Sequence, residues 1–249
     1  LQVALVIDAP QTTLAFTITN NRAWPRAATP LGTNYNRLHA TDALENDHEI
    51  YLWKEWATPP VAIPPLGQYT WKLTLPAWFN AENFTVPGCY RLAWDYEGTR
   101  TAALPLLLIG DAAPEEVART LPVPAAIRLD MLPIVDANTP ALFFLLANGS
   151  DHAVNFTAAT TGMRSSVVGP DEKATDLPLG FLVDGATLTL EGAEVAPGQL
   201  RMRLLPLSRL RELLPTPGTY TLTWHLLELQ HLPPVESRLL VVREAPGGK

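Results

Sequence analysis

This 249-residue sequence has one cysteine, few charges and no long apolar run, and each shortage excludes a class of protein. The single Cys89 excludes an intrachain disulfide, so cysteine gives no sign of an oxidising compartment. Charged residues make up 17% of the chain, the net charge is −7 and no Lys/Arg cluster occurs. Nucleic acid is therefore a poor candidate partner. No apolar run approaches the roughly 20 residues that a membrane span needs.

Short catalytic motifs are also missing. The sequence contains no G-x-S-x-G word, no glycine-rich phosphate loop, no H-E-x-x-H pair and no Asp-rich calcium loop. We therefore predict that the chain is not an enzyme and needs no cofactor. It begins at Leu1 without Met, which fits a cleaved signal peptide and fits equally a sequence trimmed in another way. We expect a secreted, periplasmic or cell-surface location.

The sequence does contain one eight-residue motif that occurs twice. Pro87-Gly88-Cys89-Tyr90-Arg91-Leu92-Ala93-Trp94 returns 130 positions later as Pro217-Gly218-Thr219-Tyr220-Thr221-Leu222-Thr223-Trp224. A spaced P-G-x-Y-x-L-x-W pattern rarely recurs by chance at that distance. The recurrence predicts two copies of one domain.

Further blocks recur in the same order. Residues 14–20 match residues 142–148, and both blocks end in Asn. Gly67-Gln68 is aligned with Gly198-Gln199, and Leu75-Pro76 with Leu205-Pro206, so that Trp71 matches Met202. We therefore predict domains at 1–110 and 125–249, joined by a linker at 111–124 with a short helical turn. Each copy is long enough to bury a core.

Apolar and polar residues alternate through both copies, which is typical of half-buried antiparallel strands. Proline, at 24 residues, separates the runs. The predicted fold is all-β, with two tandem immunoglobulin-like antiparallel β-sandwiches, and a second short helical turn over 207–214. The predicted core comprises Phe16, Ile18, Tyr69, Trp71, Leu73, Tyr90, Leu92 and Trp94, and then Phe144, Leu146, Met202, Leu204, Tyr220, Leu222 and Trp224.

The repeated word resembles the tyrosine corner of immunoglobulin-like domains, which implies that the Tyr90 and Tyr220 hydroxyls bond back to the preceding crossover. In antibody domains a disulfide cysteine follows two residues later, where this sequence has Leu92 and Leu222. The order of an Asn-ending strand, Pro-Gly and then Pro-Gly-x-Tyr also resembles the bacterial intracellular proteinase inhibitor family. No inhibitory loop can be transferred residue by residue.

Two groups of histidines are candidate metal ligands. His39 and His48 lie with Asp42 and Asp47 in one polar stretch, and His225, Glu228 and His231 lie near the end of the second copy. Neither group has tight ligand spacing, and residues three apart converge on a helix rather than a strand. A solvated loop and a plain hairpin are the favoured interpretations, so no metal site is predicted.

Aromatic residues are concentrated in the first copy, which holds six of the seven tryptophans. Tyr51, Trp53, Trp56 and Trp78 stand among charges or in a predicted crossover. They could form a platform that stacks on a sugar or anchors a protein partner. Core packing is the favoured interpretation, because Trp is highly buried on average.

The main functional hypothesis is a non-enzymatic binding or structural module of a bacterial secreted or cell-envelope assembly, acting through protein–protein contacts. One alternative is a proteinase inhibitor, which the family resemblance implies. The other is a carbohydrate-binding module that uses the first-copy aromatics, with a glycan as the partner.

The aromatic platform yields the first prediction. Replacing Trp53→Ala together with Trp56→Ala should weaken partner binding by about 2 kcal/mol or more while the fold persists, as for interface hot spots. Binding is measured by titration and folding by circular dichroism. An unfolded double variant would show that these residues are core, and normal binding would place the site elsewhere.

Overall fold

The computed structural model describes residues 1–29, 36–50, 60–75, 86–110, 112–113, 116–117, 120, 126–135, 140–155, 163–177, 194–214, 216–226 and 235–241. Among these residues no helix is long and apolar enough to cross a membrane.

Most of the described residues lie in strands and few lie in helices, which confirms the all-β prediction. The strands of the first half are β1 (Gln2–Val6), β2 (Thr13–Thr19), β3 (Arg26–Ala28), β4 (Asn36–Thr41), β5 (Asp47–Ile50), β6 (Val61–Ile63), β7 (Gln68–Thr74), β8 (Gly88–Tyr96), β9 (Thr99–Arg100) and β10 (Leu104–Leu108). Those of the second half are β11 (Ile127–Val135), β12 (Ala141–Asn148), β13 (Val154–Asn155), β14 (Met163–Val168), β15 (Ala174–Leu177), β16 (Glu194–Val195), β17 (Leu200–Pro206), β18 (Gly218–Leu226) and β19 (Val235–Val241). Helix α1 (Leu207–Leu213) lies between β17 and β18, as the sequence predicted for 207–214.

Two large sheets run through both halves of the chain. One has the order β15-β14-β18-β19-β1-β2-β7. The other has the order β17-β12-β11-β10-β8-β4-β5, with β9 paired to β8 as its eighth strand. The halves join by two parallel pairings, in which Leu5 lies opposite Leu239 and Leu107 opposite Ile134. The first strand of each half thus pairs with the last strand of the other. The domain boundaries and the linker stay predictions.

The main core lies between the two sheets and draws on both halves. Phe16 packs edge-on against Trp94 with ring centroids 5.4 Å apart, and Phe144 packs in the same way against Trp224 at 5.0 Å. All four side chains are almost fully buried. Each such burial contributes on the order of 2 kcal/mol, so these pairs are central to both halves.

A second apolar cluster covers the outer face of the eight-stranded sheet. Leu107, Leu132 and Phe143 point away from the main core, yet they are buried with Val117 from the predicted linker. As a result every residue of β12 is buried, although a strand at the surface would alternate.

Most of the predicted core is confirmed. Tyr69 and Trp71 are half-buried against the core, and the side chain of Met202 lies outside the described residues. The prediction for Leu204 is wrong, since that side chain is 40% exposed and its neighbour Leu205 is buried instead.

The error at Leu204 is one of register. In the pairing of β7 with β2, Trp71 lies opposite Phe16. In the equivalent pairing of β17 with β12, the residue opposite Phe144 is Arg203 and not Met202. The residue that matches Gly67 in the structure is likewise Gln199 and not Gly198. The Gly67 carbonyl accepts a hydrogen bond from the backbone N–H of Asn20, and the Gln199 carbonyl accepts the equivalent bond from the backbone N–H of Asn148. A shift of one residue moves every side chain of a strand to the other face.

Both tyrosine hydroxyls bond back to the crossover that precedes them. Tyr90 donates to the carbonyl of Val86 at 2.8 Å, and Tyr220 donates to that of Thr216 at 2.9 Å. These are the bonds that the resemblance to immunoglobulin-like domains implied. Each fixes the entry into β8 or β18 without a disulfide.

At one end of each half, a buried asparagine side chain forms hydrogen bonds to two loops. The Asn20 amide nitrogen lies 2.9–3.2 Å from the carbonyl oxygens of Trp24, Ile63 and Pro64. The Asn148 amide donates to the carbonyls of His152 and Val195 at 3.0 and 2.7 Å. Each side-chain oxygen accepts a backbone N–H two residues on, from Arg22 or Ser150. One side chain therefore holds two loops together.

The asparagines give a prediction about stability. Asn20→Ala and Asn148→Ala should each lower the free energy of unfolding by about 2–3 kcal/mol, because buried carbonyls lose their donors. Urea denaturation measures the change. The exposed Asn21→Ala is the matched control and should stay within about 0.5 kcal/mol. Equal effects at Asn21 and Asn148 would contradict this role.

Candidate functional site

The four residues predicted as a binding platform, Tyr51, Trp53, Trp56 and Trp78, lie outside the described residues, and that prediction stays open. His225 has no described side chain, and Glu228 and His231 also lie outside. The site below is built from described residues only.

An exposed apolar surface lies where Asn20 holds two loops together. We call residues 21–25 and 64–67 the first tip. Trp24 is 60% exposed and Leu66 is 77% exposed, and the prolines beside them are also exposed. The Arg22 guanidinium lies 5.8 Å from the centre of the Trp24 ring, in cation–π range. The Leu66 N–H donates to the Arg22 carbonyl at 3.3 Å, which joins the two loops directly.

Leu66 has an unfavourable backbone conformation as well as an exposed side chain. Its φ of 56° lies in the left-handed region, which costs a branched residue roughly 1–2 kcal/mol. The matching residue of the second half is Gly198, at φ 73°. Strained residues cluster at binding sites, where the scaffold tolerates their cost. A bulky apolar side chain at this position has no evident structural purpose.

The equivalent end of the second half is polar. We call residues 149–153 and 196–199 the second tip. Asp151 and His152 are exposed and their side chains contact each other at 3.1 Å, and Pro197 is exposed beside Gly198. The hydrogen bond from His152 lowers the pKa of the Asp151 carboxyl, so it is ionised at neutral pH. One scaffold therefore presents an aromatic, basic tip in the first half and an acidic tip in the second.

The histidines of the first half are paired with carboxylates rather than grouped around a metal position. His39 contacts Asp47 at 3.1 Å through Nδ1 and Asp95 at 3.2 Å through Nε2, while His48 contacts Asp42. Hydrogen bonding, chiefly from the Asn46 side chain, lowers the pKa of Asp42 to about 2. Within the described part of the chain, no group of three or more His, Cys, Asp or Glu could hold a metal ion.

A cleft of about 430 Å³ lies at the other end of the second half. Its apolar lining includes Val167, Leu213 and Tyr220, and its charged lining residues include Asp171 and Lys173, which are exposed. The volume suits a small ligand. No histidine, cysteine or serine is among its described lining residues.

Cys89 is a poor nucleophile. Burial, with a smaller effect from the nearby Asp130 carboxylate, raises the pKa of its thiol to about 11. The thiolate is the reactive form, and it is scarce at neutral pH.

Comparisons with known proteins do not assign a family. No family model matches the chain, and no curated protein matches it. One solved structure that is similar comes from Bacteroides uniformis ATCC 8492 and is described as a candidate carbohydrate binding protein. The match covers 92% of this chain and 95% of that one, at 11% identity and a TM-score of 0.25. At that TM-score it carries no argument about fold or function.

Sequence reasoning overlooked the first tip. The signal was present as a tryptophan followed by Pro25, and a leucine preceded by Pro64 and Pro65. The two stretches are about 40 residues apart in sequence. The Asn20 bonds, the bond from the Leu66 N–H to the Arg22 carbonyl and the pairing of β3 with β6 bring them together.

The strain at Leu66 is testable with a reciprocal pair of variants. Leu66→Asn should raise the free energy of unfolding by about 1 kcal/mol, because Asn tolerates the left-handed region and little buried surface is lost. Gly198→Leu should lower it by about 1 kcal/mol through the same backbone effect, since a side chain there meets no atom within 4 Å. Thermal and urea denaturation give both values. A loss of stability in Leu66→Asn would show that Leu66 is structural.

Proposed function

We propose that this chain is a non-enzymatic binding module of a bacterial secreted or cell-envelope assembly, built from two tandem immunoglobulin-like β-sandwiches and acting through protein–protein contacts. The first tip carries the proposal. Its exposed Trp24, flanked by Arg22 and Leu66, stands on a rigid support instead of packing into the core.

The composition of the first tip supports a protein partner. Trp and Arg are the residues most enriched among interface hot spots. The buried amide of Asn20 holds the loops of the tip in place, which reduces the ordering cost of binding. The strained Leu66, at a position where the other half has glycine, indicates a role other than stability.

A carbohydrate is the second candidate ligand, and the exposed ring of Trp24 is the observation that favours it. The Arg22 guanidinium near that ring competes for a stacking face. The proteinase-inhibitor hypothesis stays a prediction, with no described residue to support it.

Partner binding through the first tip should depend on Trp24. With the full chain immobilised and exposed to native extract of its source cells, Trp24→Ala should weaken retention of a specific partner by about 2 kcal/mol, or roughly 30-fold. The matched control is Leu44→Ala, which removes an 82% exposed leucine from the turn between β4 and β5.

Retention that is equal in Trp24→Ala and in the unaltered chain would refute this site. A tryptophan fluorescence shift that appears with a glycan panel and is lost in Trp24→Ala would instead support the carbohydrate candidate. Circular dichroism of every variant checks that the fold persists.

A further inference from the structure

We infer that the first tip binds the second tip of another copy of this chain, so that two molecules form an end-to-end twofold dimer. This inference rests on the proposed function, because it names the partner of the same site. It follows from three features: both tips lie at one end of the molecule, an approximate twofold axis relates them, and their chemistry is complementary.

The position of the tips follows from contacts at the opposite end. The Thr12 hydroxyl, just before β2, donates to the carbonyl of Ile134 near the end of β11, at 2.5 Å. The Asp8 Oδ1 atom lies 3.0 Å from the Nε atom of Arg211 in helix α1. This contact is an ion pair whose geometry does not meet that of a hydrogen bond. Strands β2 and β12 therefore both start at this end and run away from it. Their last residues are followed by the first tip and the second tip, so both tips lie at the other end.

The relation between the tips follows from the reciprocal strand pairing. Strand β1 pairs in parallel with β19, and β10 pairs in parallel with β11, so exchanging the two halves reproduces the same arrangement. The implied axis runs along the strands between the two sheets. A second molecule can be turned end over end about a twofold axis perpendicular to this one, so that its second tip lies opposite the first tip of the first molecule. Its first tip then lies opposite the second tip of the first molecule, and the same contact occurs twice, as twofold interfaces require.

The chemistry of the tips selects this orientation. Arg22 brings a positive charge to the first tip, and Asp151 brings an ionised carboxylate with a fully exposed side chain to the second tip. Unlike tips therefore attract, whereas like tips would place Arg22 against Arg22 and Asp151 against Asp151. The exposed Pro197 beside Gly198 gives the Trp24 ring a flat apolar surface. The glycine leaves room that a leucine would fill.

The test is the mass of the full-length protein in solution. Sedimentation velocity over about a hundredfold range of concentration should show a reversible monomer–dimer equilibrium. Trp24→Ala removes the ring from both contacts and should raise the dimer dissociation constant at least about 30-fold. Arg22→Asp and Asp151→Arg should each raise it tenfold or more, since each of these two variants places like charges together at both contacts. Leu44→Ala, at the opposite end, should leave it unchanged.

Mixing the two charge variants gives the sharper result. In a dimer of one Arg22→Asp chain and one Asp151→Arg chain, both contacts pair opposite charges again, so the mixture should associate as tightly as the unaltered protein while neither variant does so alone. Circular dichroism and melting temperature confirm that each variant is folded.

Three results would overturn the inference: a monomer at every concentration, a dimer that Trp24→Ala and Arg22→Asp leave intact, or a mixture that fails to restore association. If the protein is monomeric and still retains a different protein through Trp24, the proposed function stands and only self-association is refuted.

Discussion

The reciprocal parallel pairing of first and last strands is the contact on which the rest of this structure depends. A sheet edge with unpaired N–H and C=O groups is an aggregation hazard, and β1 with β19 and β10 with β11 remove four such edges at once. The pairing also makes the sheets continuous, so that Phe16 and Phe144 belong to one core cluster. A change that weakens one half should therefore be felt in the other.

This arrangement separates stability from recognition. The tyrosine corners and the buried asparagines are repeated in both halves with nearly the same distances, as parts of a shared scaffold would be. The residues that those asparagines hold at the surface differ in character, with Trp24 and Leu66 on one side and His152 and Gly198 on the other. Loops on a rigid scaffold are where binding residues usually lie. The difference between two otherwise matched tips is the basis for assigning them different roles in one interface.

The two halves also differ inside the core. The indole N–H of Trp94 donates to the Asn36 side chain at 2.7 Å, whereas the buried indole N–H of Trp224 has no hydrogen-bond partner among the described residues. An unpaired buried donor costs about 1–3 kcal/mol. The repeated tryptophan thus has the same packing role in each half, with Phe16 or Phe144, but only the first has a polar partner as well.

The sequence by itself determined the all-β class, most of the core, the two tyrosine hydrogen bonds and helix α1, because these depend on local alternation and on a word that spans eight residues. The sequence wrongly placed Leu204 of β17 in the core. One inserted residue moves every later side chain of a strand to the opposite face of the sheet, and only the pairing of β17 with β12 shows where the insertion lies. The sequence also did not reveal the shared sheets or the first tip. Parallel pairing between distant strands leaves no local pattern in the chain. Trp24 and Leu66 become neighbours through contacts between distant residues: the Asn20 amide bonds, the bond from the Leu66 N–H to the Arg22 carbonyl and the pairing of β3 with β6.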